Sequence, residues 1–434
     1  MMSFLRRFAF FVQGAVVSYW AILILGAFSE NTYSLLIDRQ VNALKFLAML
    51  VEEPALNEHW FQPETSSQRG VTTYDAQKSW GDYTVYTSTE KESIVVMDMQ
   101  GNTVFEWDAG FPEDDLTFRD QVTIGRFFSD PLDRRNVYVM YFGEKSLLHQ
   151  YGMKKFDHRS NVLWENPKAL HHDVAFFEDG TILTFEQRLR KDNPHPALPH
   201  LETPYFEEFL IFIDKDGQTI QEISLYDAFS GSDYHSVLYS LTREQGDDLI
   251  RDGDLFHPNT ITRVPAHVAA RFAQLNTQSV MLSFRNTDMI AFLDLETEKI
   301  VWAFYGPWHG QHAPQFLDNG NVIMFDNRGH AGSGGRSRIL EVDLQDLSIV
   351  WEYTGSQDKP FFTAYNGMID LLPNGNILVT ETHSGRIFEV TRGKDIVWEY
   401  YVDYRIEHEG KAHVPSVLSA RRFSKEDLAA LFDD

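Results

Sequence analysis

The sequence predicts an all-β fold, a six-bladed β-propeller, with an N-terminal transmembrane helix and a short helical stalk. The first sign is a hairpin that recurs six times: Ile94–Trp107, Leu148–Glu165, Phe209–Ser224, Met289–Phe304, Arg338–Tyr353 and Arg386–Tyr400 each run strand, turn, strand, most of them to a Trp-Glu-like ending. Within each copy the apolar residues alternate or form short β-branched and aromatic blocks bounded by Asp, Asn and Gly, the grammar of hairpins rather than helices. The second sign is spacing. Trp302, Trp351 and Trp398 stand 49 and 47 residues apart, the length of a four-stranded blade. The third is a frame shared by His172–Gly180 and His312–Gly320, in which a histidine stands eight residues ahead of a turn glycine and an apolar strand follows; Gly367–Gly375 keeps the frame without the histidine. A parallel β-helix needs shorter repeats, and a sandwich does not repeat its hairpins so regularly. The scaffold is periodic and its chemistry is not, as expected of a site built on a repeat fold.

Along the chain, Arg6 and Arg7 precede an uncharged run from Phe8 to Phe28, whose 21 residues suffice to span a bilayer with the positive flank on the cytoplasmic side. Residues 1–29 are therefore expected to be a cytoplasmic start and single-pass anchor. In a Gram-negative-like cell the anchor sits in the inner membrane and the bulk of the chain faces the periplasm. A signal peptide, with Ala27 and Ser29 as the small residues of a cleavage site, is the alternative. Residues 30–78 read as a juxtamembrane helix and linker. Tyr33–Val51 has apolar residues at helical spacing and is expected to be a packed stalk, with a membrane-surface or partner helix as alternatives. Glu52–Lys78 is polar and carries Pro54 and Pro63, a linker composition. Residues 79–420 are assigned to the propeller and 421–434 to a helical tail.

With 434 residues, 43% hydrophobic and 14% aromatic, the chain can bury a large core. It has no cysteine, which excludes disulfides, thiolate metal ligands and cysteine nucleophiles. The formal charge of −25 argues against nucleic acid as a partner, while a local cluster of Arg and His still suits a small anion.

The chemistry is read from four segments. In Phe256-His257-Pro258-Asn259-Thr260 the imidazole and the carboxamide project from the same side of an extended chain. Arg285, in SFRNTDMI, precedes the strand Met289 to Asp294 and is expected at a blade edge near the central channel. If these segments open the inner strands of neighbouring blades, His172, His257, Asn259, Arg285 and His312 converge at the funnel mouth. An anion with three equivalent oxygens, such as a sulfuryl group in transit, needs forked donors and a nucleophile without permanent charge. Neutral imidazole is such a nucleophile. Plainer roles stand beside these. Any one histidine among sixteen is most often structural, Arg285 could pair with Asp288, and Asn259 could be a turn residue. His171, His172 and Asp173 resemble a metal cluster, but neither an H-E-x-x-H helix nor a facial triad accompanies them, so no metal and no cofactor is expected.

The H-x-N segment, the strand-edge Arg285 and the run Q-H-x-x-x-x-L-x-(D/N)-G-N (Gln311 to Asn321) followed by Phe325-Asp326-Asn327 together resemble the bacterial arylsulfotransferase family, over about Trp80 to Tyr400. The resemblance implies transfer of a sulfuryl group from a small phenolic (aryl) sulfate ester to a phenolic or other hydroxyl acceptor. It implies no nucleotide sulfate donor and a ping-pong route through a sulfohistidine. By motif, His312 is the nucleophile, His257 and Asn259 are the H-x-N pair, and Arg285 is the sulfate-binding arginine. His172 contacts the transferring group, with neighbouring His171 as a one-residue alternative that the shared frame disfavours. His257 or His172 would protonate the leaving oxygen, and with water as acceptor the site would act as a sulfatase. The chain departs from the family's best-known enzymes in lacking a recognisable N-terminal β-sandwich, which leaves a homo-oligomer open, and in having no active-site disulfide. The glycine-rich, basic stretch Asn327 to Arg338 is read as a mobile rim that meets the anionic donor, or as an ordinary blade loop. The alternative from another class is a non-catalytic exported propeller that binds a glycan or a protein partner; His312 with Arg285 discriminates, because a binding module could carry asparagine at 312. A quinone-dependent dehydrogenase is disfavoured, since those propellers have eight blades and other tryptophan repeats.

Overall fold

The computed structural model describes residues 60–110, 122–143, 150–195, 198–241, 253–327, 336–356 and 361–432. The expected membrane anchor and stalk, residues 8–28 and 33–51, lie outside them, as does most of the glycine-rich stretch after Asn327. Among the described residues no helix is long and apolar enough to cross a membrane.

Strands dominate the described residues. Two lie within the stretch read as a linker, β1 (Phe61–Pro63) and β2 (Gly70–Tyr74), and are followed by β3 (Tyr83–Ser88), β4 (Ser93–Asp98) and β5 (Thr103–Asp108). Next come β6 (Val122–Ser129), β7 (Val137–Gly143), β8 (Gln150–Phe156) and β9 (Val162–Asn166), then β10 (Leu170–Phe176), β11 (Ile182–Arg190), β12 (Tyr205–Ile213) and β13 (Thr219–Ser224). The following set is β14 (Pro258–Arg263), β15 (Ser279–Phe284), β16 (Met289–Asp294) and β17 (Lys299–Tyr305), and after it β18 (His312–Phe316), β19 (Val322–Asp326), β20 (Arg338–Val342) and β21 (Ile349–Tyr353). The chain ends with β22 (Met368–Leu371), β23 (Ile377–Glu381), β24 (Arg386–Val390), β25 (Ile396–Tyr401), β26 (Ile406–His408), β27 (Lys411–Pro415) and β28 (Val417–Phe423). Short helices α1 (Leu225–Ser230) and α2 (Ala266–Ala269) sit between strands, and α3 (Lys425–Phe432) follows β28.

Within the described residues each consecutive set forms one antiparallel sheet in sequence order, with two exceptions that tie the chain ends together. β28 adds to the inner side of β3, and β2 adds to the outer side of β25, while β1, β27 and β26 form a small separate sheet. The first strands pack side by side in the cyclic order β28, β6, β10, β14, β18, β22 and back to β28. The result is an all-β, propeller-like arrangement around a ring of inner strands.

Burial explains the sequence pattern. Every residue of β15 and β16 is buried, because a middle strand is covered on both faces and so reads as a continuous apolar run. The fourth strands β5 and β9 are largely exposed, and β21 is exposed or half-buried except at Tyr353. The clusters lie between sheets, as where Val85, Ile94 and Val96 meet Ile124, Phe127 and Val139.

The recurrent hairpins share a turn. Asp98, Asp157, Asp214, Asp294 and Asp343 each stand at the end of a strand or directly after it and accept the backbone N–H two residues on, the Asx geometry that aspartate favours. Each of the six turns then holds one residue at positive φ: Gly101, Ser160, Gly217, Glu298, Leu347 and Lys394. Three of the ending tryptophans clasp the next sheet. The Nε1–H of Trp164 donates to Lys215 O at 3.1 Å, that of Trp351 to Arg392 O at 3.0 Å and that of Trp398 to Met99 O at 2.9 Å. Gly217 is needed beneath Trp164, since a Cβ there would come within 2.7 Å of the ring at a φ that favours glycine.

Candidate active site

The inner strands break register at one common end. Pairing jumps from His171↔Phe185 to Val174↔Thr184 on β10, from Pro258↔Phe284 to Thr260↔Ser283 on β14, and from His312↔Phe325 to Gln315↔Ile323 on β18. Bulges also lie between Ile124 and Arg126 on β6 and between Val417 and Ser419 on β28. β22 pairs without a break, and it is the copy whose frame has no histidine. A bulge re-aims the side chains beside it, and here those of β10 and β14 bring His172 against His257. His172 (φ 63°), His257 (φ 49°) and Ala313 (φ 50°) adopt the left-handed conformation at these points, a strain of the kind that concentrates at functional sites.

His312 is 1% exposed. Its Nδ1 faces two acceptors, Gly310 O at 3.0 Å and Asn327 Oδ1 at 2.7 Å. The Asn327 amide is oriented by its Nδ2, which donates to Thr363 O at 3.0 Å and to Asn366 O at 2.7 Å. Nδ1 must therefore carry the proton, and Nε2 holds the lone pair. Nε2 is buried and has no hydrogen-bond partner among the described residues. Burial first, then the charges of Arg126 and Arg285, hold the imidazole well below its ordinary pKa, against an opposing contribution from Asn327. The ring is neutral at physiological pH, with a bare nitrogen. Asn327 opens the stretch read as a mobile rim, yet it is fully buried.

His172 and His171 form a chain to a carboxylate. His171 Nε2–H donates to Glu208 Oε2 at 2.9 Å, and Gln187 Nε2 donates to Glu208 Oε1 at 2.9 Å. The two Nδ1 atoms of His171 and His172 are 2.7 Å apart; with the His171 Nε2–H on Glu208, His171 accepts there and His172 donates. Burial outweighs the His171 contacts and raises Glu208 above the usual carboxylate range. Burial, with the charges of His257 and His171 next, pushes His172 well below the ordinary imidazole value. Strand pairing shifts the sequence frame by one: His312 pairs with Phe325 as His171 pairs with Phe185, each followed by a left-handed residue. His172 is nonetheless the one that meets the other site histidine, its ring lying edge-on to His257 with centroids 4.6 Å apart.

His257 Nδ1–H donates to Asp254 Oδ2 at 2.5 Å. Burial raises Asp254, but the charge and hydrogen bond of His257 prevail and hold it below the usual range. The His257 carbonyl accepts from Arg285 N at 3.0 Å, which brings Arg285 beside the imidazole; its Nη1 donates to Asn286 Oδ1 at 2.6 Å. Asp288, considered as a partner for Arg285, accepts from Gly310 N and from His309. Asn259 is fully buried. Its Nδ2 donates to Gln311 O at 2.7 Å and its Oδ1 accepts from Thr260, whose hydroxyl accepts from Ala313 N. Asn259 thus ties β14 to the backbone on both sides of His312.

Several residues here are given no catalytic part by the sequence, Asp173 entering only as a member of a metal-like cluster. Glu208 and Asp254 are buried carboxylates behind the histidines, Asp173 accepts from Ile261 N through Oδ2 at 3.0 Å, and Arg126 reaches Asp173 Oδ1 at 3.9 Å. Asn327 stood in the motif that suggested the family, without an assigned part. Among the described residues no group of three or more His, Cys, Asp or Glu is arranged to hold a metal ion.

A family model described as Arylsulfotransferase (ASST) matches residues 138–403. That stretch holds every site residue named above except Arg126. No curated protein matches the chain. Similar solved structures include a protein of unknown function from Bacteroides caccae, 9% identical over 77% of this chain and 99% of that one with a TM-score of 0.47. A virginiamycin B lyase from Staphylococcus aureus is 12% identical over 77% of this chain and 89% of its own, with a TM-score of 0.41.

Proposed function

We propose, from the premise that this chain belongs to the arylsulfotransferase family, that it moves a sulfuryl group from a phenolic sulfate ester to a phenolic or other hydroxyl acceptor through a sulfohistidine on His312. The observation that carries the reading is the His312 Nε2 lone pair, buried, neutral and without a hydrogen-bond partner among the described residues. In the first half-reaction Nε2 attacks sulfur, the S–O bond to the aryl group breaks, and the phenolate takes a proton from His257. In the second, the acceptor oxygen attacks sulfur, the S–N bond breaks, and His257 takes the acceptor's proton. Asp254 orients His257 for both transfers. Arg285 faces the sulfuryl oxygens, where charge grows in the transition state, while His172, whose Nδ1–H is engaged by His171, packs its ring against His257. Asn259 works through His312, since its amide is engaged by the Gln311 carbonyl.

The surrounding architecture is read in the same frame. The cyclic packing of six inner strands supports a six-bladed propeller with the site at one mouth of its funnel. The uncharged run Phe8 to Phe28 after Arg6 and Arg7 supports a single inner-membrane anchor with the propeller in the periplasm. No nucleotide donor enters the scheme.

The test is the intact mass of the full-length chain after brief exposure to an aryl sulfate without acceptor, kept alkaline to protect the N–S bond. A gain of one sulfuryl unit that vanishes in His312→Ala supports the reading. No gain while the donor still binds would favour a binding propeller and would sink His312 as nucleophile.

A further inference from the structure

Arg126 is 2% exposed, and none of its five N–H groups makes a hydrogen bond among the described residues. Its single ion pair, to Asp173 Oδ1, is 3.9 Å long, and the other Asp173 oxygen already accepts from Ile261 N. A buried guanidinium left in this state is costly, because desolvation is not offset by donors in contact with acceptors. Its position is specific. It follows the Gly125 bulge on β6, where a Cβ at Gly125 would come within 2.7 Å of Phe142, and β6 sits in the ring between β28 and β10. Asp173, its partner, directly follows His172, whose ring packs on His257. Among the charges that depress His312, Arg126 ranks ahead of Arg285.

We propose that Arg126 is the second arm of an oxyanion clamp, with Arg285 as the first, and that its vacant N–H groups bind a tetrahedral oxyanion held at His312. That the oxyanion is the sulfuryl group rests on the function proposed above; the clamp itself does not. The planar fork of an arginine fits two oxygens of one tetrahedral anion, and two arginines from separate sheets hold such a group between them. The clamp also explains why a charge is kept where the sheet alone would prefer an apolar residue.

The test is a thermal-shift titration of the full-length chain with inorganic sulfate, and with inorganic phosphate in parallel, using wild type, Arg126→Met and Arg126→Lys. Wild type is stabilised by sulfate. Arg126→Met is at least as stable as wild type without anion, and its sulfate midpoint is weaker by about tenfold or more. Arg126→Lys, which keeps the charge and loses the fork, falls between them and serves if the methionine variant does not fold. A sulfate response equal in wild type and variants, or no response to either anion in wild type, overturns the proposal. Binding of phosphate but not sulfate, still lost in Arg126→Met, upholds the clamp and counts against sulfuryl transfer. Sulfate binding through Arg126 without any turnover of an aryl sulfate likewise leaves the clamp standing and defeats the transferase reading.

Discussion

Asn327 decides which nitrogen of His312 is bare. Its carbonyl oxygen sits 2.7 Å from Nδ1, and two backbone carbonyls hold its amide nitrogen so that the group cannot turn over. Asn327→Ala removes this constraint while leaving the Gly310 carbonyl. Turnover is expected to fall on the order of 100-fold or more with the donor KM little changed, as for other imidazoles that lose their orienting partner. Steady-state kinetics with an aryl sulfate and excess phenol measures it; an unchanged kcat would show that Gly310 alone fixes the tautomer.

The Asp254–His257 pair makes a prediction about leaving groups. If His257 donates the proton, Asp254→Asn slows donors with poorly acidic phenols by about 100-fold. It should barely affect 4-nitrophenyl sulfate, whose phenolate leaves unaided. A uniform loss across a series of substituted phenyl sulfates would mean that Asp254 acts on folding of the loop and not on proton transfer.

Acid should destabilise the protein through its buried histidines. His172 and His312 are held neutral by burial, whereas in the unfolded chain each titrates near about 6.5. The unfolded state therefore binds the additional protons, so this stabilisation is complete above about pH 6.5 and declines below it, by up to about 1.4 kcal/mol per pH unit for each histidine. Asp173 and Glu208, raised by burial, act in the opposite sense, so the informative quantity is a difference between proteins. Urea unfolding of wild type and His312→Gln from pH 8 to pH 5 should show a shallower acid decline in the variant. Parallel curves would mean that His312 is not buried neutral.

The tryptophan clasps contribute to stability rather than to chemistry. Trp351→Phe keeps most of the apolar area and deletes the donor to the Arg392 carbonyl, with an expected cost of about 1–2 kcal/mol and no change in kcat. Denaturant unfolding alongside an activity assay separates the two effects.

Much of this fold is legible because a hairpin is a local object. The aspartate that ends a strand, the positive-φ residue three or four positions on, and the tryptophan that closes the next strand all lie within one short window. The site is less legible, because it is made where strands break register. The frame that links His172 to His312 counts residues from a turn glycine, and a bulge changes that count. So the sequence favours His172 as the counterpart of His312, whereas strand pairing makes it His171 and leaves His172 to meet His257. Glu208 and Asp254 look like two more acidic residues in a chain of net charge −25. Their burial against imidazoles depends on which strands adjoin, which no local pattern encodes. Arg126 is hidden for the same reason: its segment has no repeat frame, and its importance lies in what its guanidinium does not touch.

The innermost strand of the first sheet, β28, comes from residues 417–423, beyond every histidine of the site. On the ribosome, the reactive side chains therefore emerge long before the strand that packs against β6 and closes the ring. Until then β3 presents an unpaired edge, and Arg126 lacks one of its two flanking strands. A chain that has not yet added β28 holds the site histidines without the closed ring of inner strands that positions them. The seam that closes the ring of inner strands is thus made from the last strand to be synthesised.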